Sequence, residues 1–168
     1  MTETTTFLET PPIAIPLADD ADTARIGAAL GRALSPGDAV LLSGGLGAGK
    51  SALARAAISA RLAVVGRKED IPSPTFTLVQ TYEADIPIWH ADLYRLSVED
   101  EVYELGLSEA FEMAAVLIEW PDRLGAAAPA RALKVEMDFG PGGEGRIAVF
   151  QPCGPVWAPV IDALKAAI

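Results

Sequence analysis

The segment that most constrains this chain is Gly44-Gly45-Leu46-Gly47-Ala48-Gly49-Lys50-Ser51, which fits G-x-x-x-x-G-K-[ST]. Before it runs Asp38-Ala39-Val40-Leu41-Leu42-Ser43, whose apolar run reads as a buried strand. After it, Ser51 to Ile58 is rich in alanine and leucine and free of breakers, which predicts a helix. A strand, a glycine loop and a helix in this order make a phosphate cradle. The glycines let successive N–H groups converge on phosphate oxygens, and the helix N-terminus adds positive potential. Gly45, Leu46, Gly47, Ala48 and Gly49 then supply the cradle, Lys50 reaches the β/γ-phosphates, and the Ser51 hydroxyl ligates Mg²⁺. A plain glycine turn between strand and helix would need neither Lys50 nor Ser51.

The chain has 168 residues, 51% of them apolar, which predicts one domain, 1–168, around one substantial core. No apolar run approaches the ~18–20 residues that cross a bilayer, and the N-terminus lacks the basic start and apolar core of a secretory signal. Cys153 is the only cysteine, so neither an internal disulfide nor a cysteine metal site can form. These features favour the cytoplasm. A net charge of −10 disfavours tight, independent binding to nucleic-acid backbones. Acidic residues concentrate between Glu83 and Asp122, notably Glu99, Asp100, Glu101, Glu104, Glu109 and Glu112. They read either as a solvated helix face or as a docking surface for a basic partner, and charge alone does not choose.

Along the chain, the threonine-rich stretch 1–10 reads as flexible and Ile13 to Leu17 as a short strand, placed at an edge by Pro16. Asp19, Asp20 and Asp22 offer caps to a helix carrying Ile26, Leu30 and Leu34. After a loop over 63–74, Thr75 to Tyr82 and Ile86 to Asp92 read as the two strands of a hairpin. Ser97 can cap a helix bearing Val98, Val102 and Leu105 that Gly106 ends. Ala114 to Glu119 reads as a buried strand, Ala132 to Phe139 and Arg146 to Phe150 as strands around a glycine turn, and Val156 to Ile168 as an amphipathic helix. The order predicts an α/β sandwich of three layers whose mixed sheet is partly antiparallel.

A Mg-nucleotide site needs acidic residues at neighbouring strand ends, and Asp92 and Glu119 each close a predicted strand. Either carboxylate can hold Mg²⁺ or orient an attacking water. Thr75, in Ser73-Pro74-Thr75-Phe76, reads either as a switch-loop hydroxyl or as the start of a strand. His90, the only histidine, reads as a structural residue that positions the Asp92 segment rather than as a catalytic base. Trp120 reads as a core or rim residue, with stacking on a base or a partner as the alternative. No asparagine occurs in the chain, which removes the Asn-Lys-x-Asp guanine reader and the protein-kinase metal ligand, and favours ATP.

Taken together, these residues resemble the TsaE (YjeE) family of bacterial ATPases, over about residues 13–150. The landmarks are the glycine loop, Ser73-Pro74-Thr75-Phe76-Thr77-Leu78-Val79, His90-Ala91-Asp92-Leu93-Tyr94-Arg95-Leu96, Glu104-Leu105-Gly106-Leu107 and Ile118-Glu119-Trp120-Pro121. The resemblance implies a small P-loop ATPase that works with TsaB and TsaD in threonylcarbamoyl transfer to tRNA adenosine beside the anticodon, touching tRNA only indirectly. It implies that Lys50 holds phosphate, Ser51 holds Mg²⁺, Asp92 takes the second-strand acidic role, Glu119 the metal or water role, and Thr75 the switch role. Asp20 and Thr23 align with the family's N-terminal nucleotide-contact region. One departure is Gly45, where the family usually carries an acidic residue. Rival readings are a small-molecule kinase, although no arginine-rich lid stands out, and a nucleotide sensor without turnover.

Overall fold

In the computed structural model, which describes residues 10–97 and 100–168, the apolar runs become strands and the periodic segments become helices. The strands are β1 (Ile13–Leu17), β2 (Ala39–Ser43), β3 (Val79–Glu83), β4 (Pro87–Asp92), β5 (Ala115–Glu119), β6 (Leu133–Phe139) and β7 (Arg146–Pro152). The helices are α1 (Asp20–Ala33), α2 (Lys50–Val64), α3 (Asp100–Glu104), α4 (Leu107–Met113) and α5 (Ala158–Ala166). Among the described residues the strands join one seven-stranded sheet in the order β1-β7-β6-β2-β5-β4-β3. Its centre, β6-β2-β5-β4, is parallel, while β3, β7 and β1 pair antiparallel at the flanks. Pro16, which has no N–H to give, lies on the edge strand β1 as expected.

The layers follow from which faces are apolar. On one face, Ile26 and Leu30 of α1, Leu53 and Ile58 of α2, and Ile161 and Leu164 of α5 pack on Leu42, Leu117, Val135 and Phe150. On the other, Leu107 of α4 and Leu124 of the short 3-10 segment Pro121–Ala127 cover Leu41, Val116 and Ile118. The three-layer P-loop NTPase-type sandwich with a mixed sheet is thus the fold formed. Asp19 caps α1 by accepting from the Asp22 N–H at 2.9 Å. The acidic residues Glu104, Glu109 and Glu112 are exposed on α3 and α4. The expected flexible stretch at the N-terminus lies outside the described residues except for Thr10, and Val98 and Glu99 lie outside them as well.

One element differs from expectation in a way that bears on the site. The strand predicted from Thr75 begins only at Val79. The Leu78 N–H instead donates to the Pro74 carbonyl at 2.8 Å, closing a turn, and Leu78 sits at φ 66°. The β-branched composition of 75–81 favours a strand, but the proline-led turn and a Ser73–Thr75 hydroxyl contact at 2.9 Å hold the first residues away from the sheet.

Close approach of α1 and α2 sets the base of the phosphate loop's helix. A Cβ on Gly31 would overlap the Ala57 carbonyl, and one on Gly27 would meet the Ala56 Cβ at 2.5 Å. Gly31→Ala should therefore cost about 1–3 kcal/mol or more by overpacking. Urea denaturation of the variant checks this, and an unchanged midpoint contradicts the packing assigned to the helix pair.

Candidate active site

Parallel pairing brings the carboxyl ends of β2, β4 and β5 to one rim of the sheet, the location where open α/β sheets hold ligands. In register, Leu42 of β2 and Asp92 of β4 both lie opposite Glu119 of β5. Residues paired across strands share a face of the sheet. The two carboxylates therefore point to the side occupied by Leu42 and α2. The glycine loop leaves β2 at that rim and returns as α2. Gly47 and Gly49 take φ of 77° and 101°, a left-handed backbone that favours glycine. Among the described residues no side chain caps the N-terminus of α2, so its first N–H groups remain available to an anion.

A cavity of about 410 Å³ opens above this rim, lined among others by Gly47, Lys50, Ser51, Thr75, Asp92 and Glu119. Lys50 is 6% exposed, and its ammonium donates to the carbonyls of Gly44 and Gly45, each at 2.8 Å. The Trp120 ring lies over the same ammonium, 4.3 Å from its centroid. Trp120 reaches that position through a left-handed backbone, φ 58° and ψ 55°, directly after β5. Burial pushes the Lys50 ammonium below its ordinary 10.5, while Glu119 and Asp92 oppose the shift.

Glu119 is 2% exposed and uses both carboxylate oxygens. The Ser51 hydroxyl donates to Oε1 at 2.5 Å, and His90 Nε2 lies 2.8 Å from Oε2. Burial alone would raise this carboxyl. The hydrogen bonds from His90 and Ser51, with the Lys50 charge, outweigh it and hold Glu119 below 4.5. Asp92 is also buried, and its Oδ1 accepts from the Tyr94 N–H at 3.0 Å. The Thr75 hydroxyl makes a long contact of 3.5 Å with Asp92 Oδ2. The structure thus gathers Leu46, Gly47, Gly49, Lys50, Ser51, Thr75, Asp92 and Glu119 around one cavity.

Other expected residues stand elsewhere. Ala48 is buried beneath the loop, and its N–H is turned to the Gly45 carbonyl at 3.2 Å. Gly45 is not among the lining residues, and a Cβ there would meet nothing within 4 Å. Asp20 and Thr23 lie in the first turn of α1, outside the cavity lining, and the Thr23 hydroxyl turns back to the Asp19 carbonyl at 3.5 Å. His90 hydrogen-bonds to Glu119, because the β4–β5 register sets it diagonally across from that residue. Residues that sequence reasoning passed over are Arg55, Tyr94 and Arg146. Arg55 lines the cavity one turn beyond Ser51, a position legible from i,i+4 spacing. Arg146 donates from Nε to the Gly47 carbonyl at 3.1 Å and lies 4.3 Å over the Phe139 ring, which no local motif announces.

Comparison with known proteins matches this architecture. A family model described as threonylcarbamoyl adenosine biosynthesis protein TsaE covers residues 17–145. The chain belongs to the TsaE family. The TsaE protein of Rickettsia bellii is 38% identical over 122 residues, spanning 72% of this chain and 83% of that protein. That of Treponema pallidum is 34% identical over 118 residues, spanning 69% and 84%. The match to the Rickettsia conorii protein is 43% identical over 107 residues and spans 63% of this chain but 59% of that protein. The crystal structure of Bacillus subtilis YdiB superimposes with a TM-score of 0.77 at 22% identity, covering 93% of this chain and 95% of that one, a likeness of fold.

The donor set fits a Mg-nucleotide. One ammonium, the N-terminus of α2, a hydroxyl and two carboxylates line the cavity together. That is the arrangement by which one or two protein oxygens and phosphate oxygens share Mg²⁺. The site also carries a pH signature. Because Glu119 titrates lower in the folded chain than its ordinary 4.5, its ionised form contributes stability that is complete above 4.5 and is lost as pH falls through the depressed value. Denaturation of the ligand-free protein from about pH 6 to about pH 3 should show the Glu119→Gln penalty shrinking at the acid end. A penalty that stays constant across that range contradicts the paired carboxylate.

Proposed function

We propose that this TsaE family member is an ATP-binding and ATP-hydrolysing subunit that supports threonylcarbamoyl transfer to adenosine next to the anticodon of tRNA. It acts in the cytoplasm as one domain with TsaB and TsaD, and tRNA is met through those partners. The observation that carries the reading is the joined set Lys50, Ser51 and Glu119, with Asp92 and Thr75 across the same cavity. The acidic charge of −10 agrees with leaving the nucleic acid to partners. Among the described residues, no helix is long and apolar enough to cross a membrane.

In this reading Lys50 exchanges its two loop carbonyls for phosphate oxygens, and the loop from Gly45 to Gly49 carries the phosphates on its backbone. With its proton turned to Glu119, the Ser51 oxygen would keep its lone pairs for Mg²⁺, and Asp92 and Glu119 would help to hold the metal. Mg²⁺ bound there would supply charge neutralisation to the phosphates. Asp92, with the Thr75 hydroxyl beside it, is the group that orients the attacking water. Thr75 sits on a proline-led turn, not in the sheet, which suits a segment that responds to partners.

The test follows phosphate release with and without the TsaB–TsaD pair. Slow release alone and clear stimulation by the pair are expected. Asp92→Ala should remain folded and lose stimulated release by at least about tenfold, as removal of a positioned polar group does. Thr75→Ala should blunt stimulation more than ATP binding. Full activity alone, no effect of the pair, or a phosphorylated small-molecule product would each overturn the proposal.

A further inference from the structure

We infer that His90 is the positioning residue of this site: its Nε2–H fixes the Glu119 carboxylate so that Oε1 stays available to the Ser51 hydroxyl. The inference rests on the nucleotide reading above and adds a residue that touches neither phosphate nor metal in it.

Geometry carries the argument. His90 lies on β4 opposite Leu117 of β5 and Gln80 of β3, so strands clamp it on both sides. Its side chain is wholly buried on the α2 side of the sheet, diagonal to Glu119. One ring nitrogen, Nε2, stands 2.8 Å from Glu119 Oε2. The other, Nδ1, is buried with no hydrogen-bond partner among the described residues. An ionised carboxylate has no proton to give, so the 2.8 Å contact is a hydrogen bond only when Nε2 carries the proton. Among the described residues no acceptor bonds to Nδ1 to draw the proton to that side.

The consequence runs through Glu119 to Ser51. A buried carboxylate with one oxygen unpartnered would rotate to find a donor. With Oε2 tied to a strand-clamped ring, Oε1 is left facing α2, where the Ser51 hydroxyl donates to it at 2.5 Å. That donation sets which way the Ser51 lone pairs point, toward the cavity that Lys50 and Asp92 also line. Outer groups that hold a ligating residue commonly change metal affinity or activity by about 10- to 100-fold when removed.

The chain has a single histidine, so ¹⁵N-labelled protein gives one imidazole to observe. A proton resident on Nε2 in the ligand-free parent is the expected result, and an unprotonated Nε2 would overturn the inference. In a second measurement, His90→Phe keeps the ring and removes the donor, whereas His90→Gln places an amide N–H near the same point. His90→Phe should reduce phosphate release by about 10- to 100-fold and raise the Mg²⁺ concentration needed, with metal-free ATP affinity unchanged. His90→Gln should recover most of both. Parent-like release in His90→Phe, or a glutamine variant no better than the phenylalanine one, would overturn it. If His90→Phe does not fold, the glutamine variant and the imidazole spectrum still decide. A parent that binds no ATP would sink the nucleotide reading and leave the spectrum to judge His90 separately.

Discussion

Glu119 is the point on which the site depends, because it ties the phosphate loop to the sheet. One oxygen takes the first hydroxyl of α2 and the other takes a ring held inside β4. The tie is made at the end of β5, between β2 and β4, so three parallel strands fix one carboxylate. Strand-borne residues hold position better than loop-borne ones, and here Lys50, the first residue of α2, stands beside the carboxylates at the ends of β4 and β5. Trp120 follows immediately and, through its left-handed backbone, lays its ring over the Lys50 ammonium. A non-glycine residue in that conformation costs of order 1–3 kcal/mol and persists where surrounding structure demands it. Its presence beside the ammonium is of a piece with the functional reading.

Much of this was legible in the chain itself. The glycine loop could be placed because local rules coincide there: an apolar run, a glycine cluster, and a helix without breakers. The hairpin of β3 and β4 and the buried β5 were legible for the same reason. What escaped were features set by nonlocal register. His90 is two residues from Asp92 in sequence, yet its partner is Glu119, because parallel pairing of β4 and β5 decides the diagonal neighbour. Thr75 reads either as a switch-loop hydroxyl or as the start of a strand, and the turn closed by Pro74 and Leu78 keeps it out of β3. Arg146 meets the loop from a strand far along the chain, a contact no motif encodes.

Gly45 illustrates where family likeness and local geometry part. Its φ lies outside the left-handed range, and a Cβ at this position would have no neighbour within 4 Å, so the backbone does not require glycine there. A longer side chain at this position would therefore fit at the loop's outer face without strain. Gly47 and Gly49 differ, since both adopt the left-handed backbone that shapes the cradle. Asp20 and Thr23, suggested only by family likeness, lie at the start of α1 outside the cavity lining.

Calorimetric titration of Mg-ATP into the parent protein and into Lys50→Ala tests the central claim most directly, because Lys50 is the buried cation beside Glu119, Asp92 and Trp120 at this cavity. A charge-assisted contact contributes about 1.5–3 kcal/mol, which corresponds to roughly 10- to 150-fold in affinity. Binding by the parent and a loss of that size in Lys50→Ala is the expected result. Equal affinity in the two proteins, or no binding by a folded parent, would contradict it.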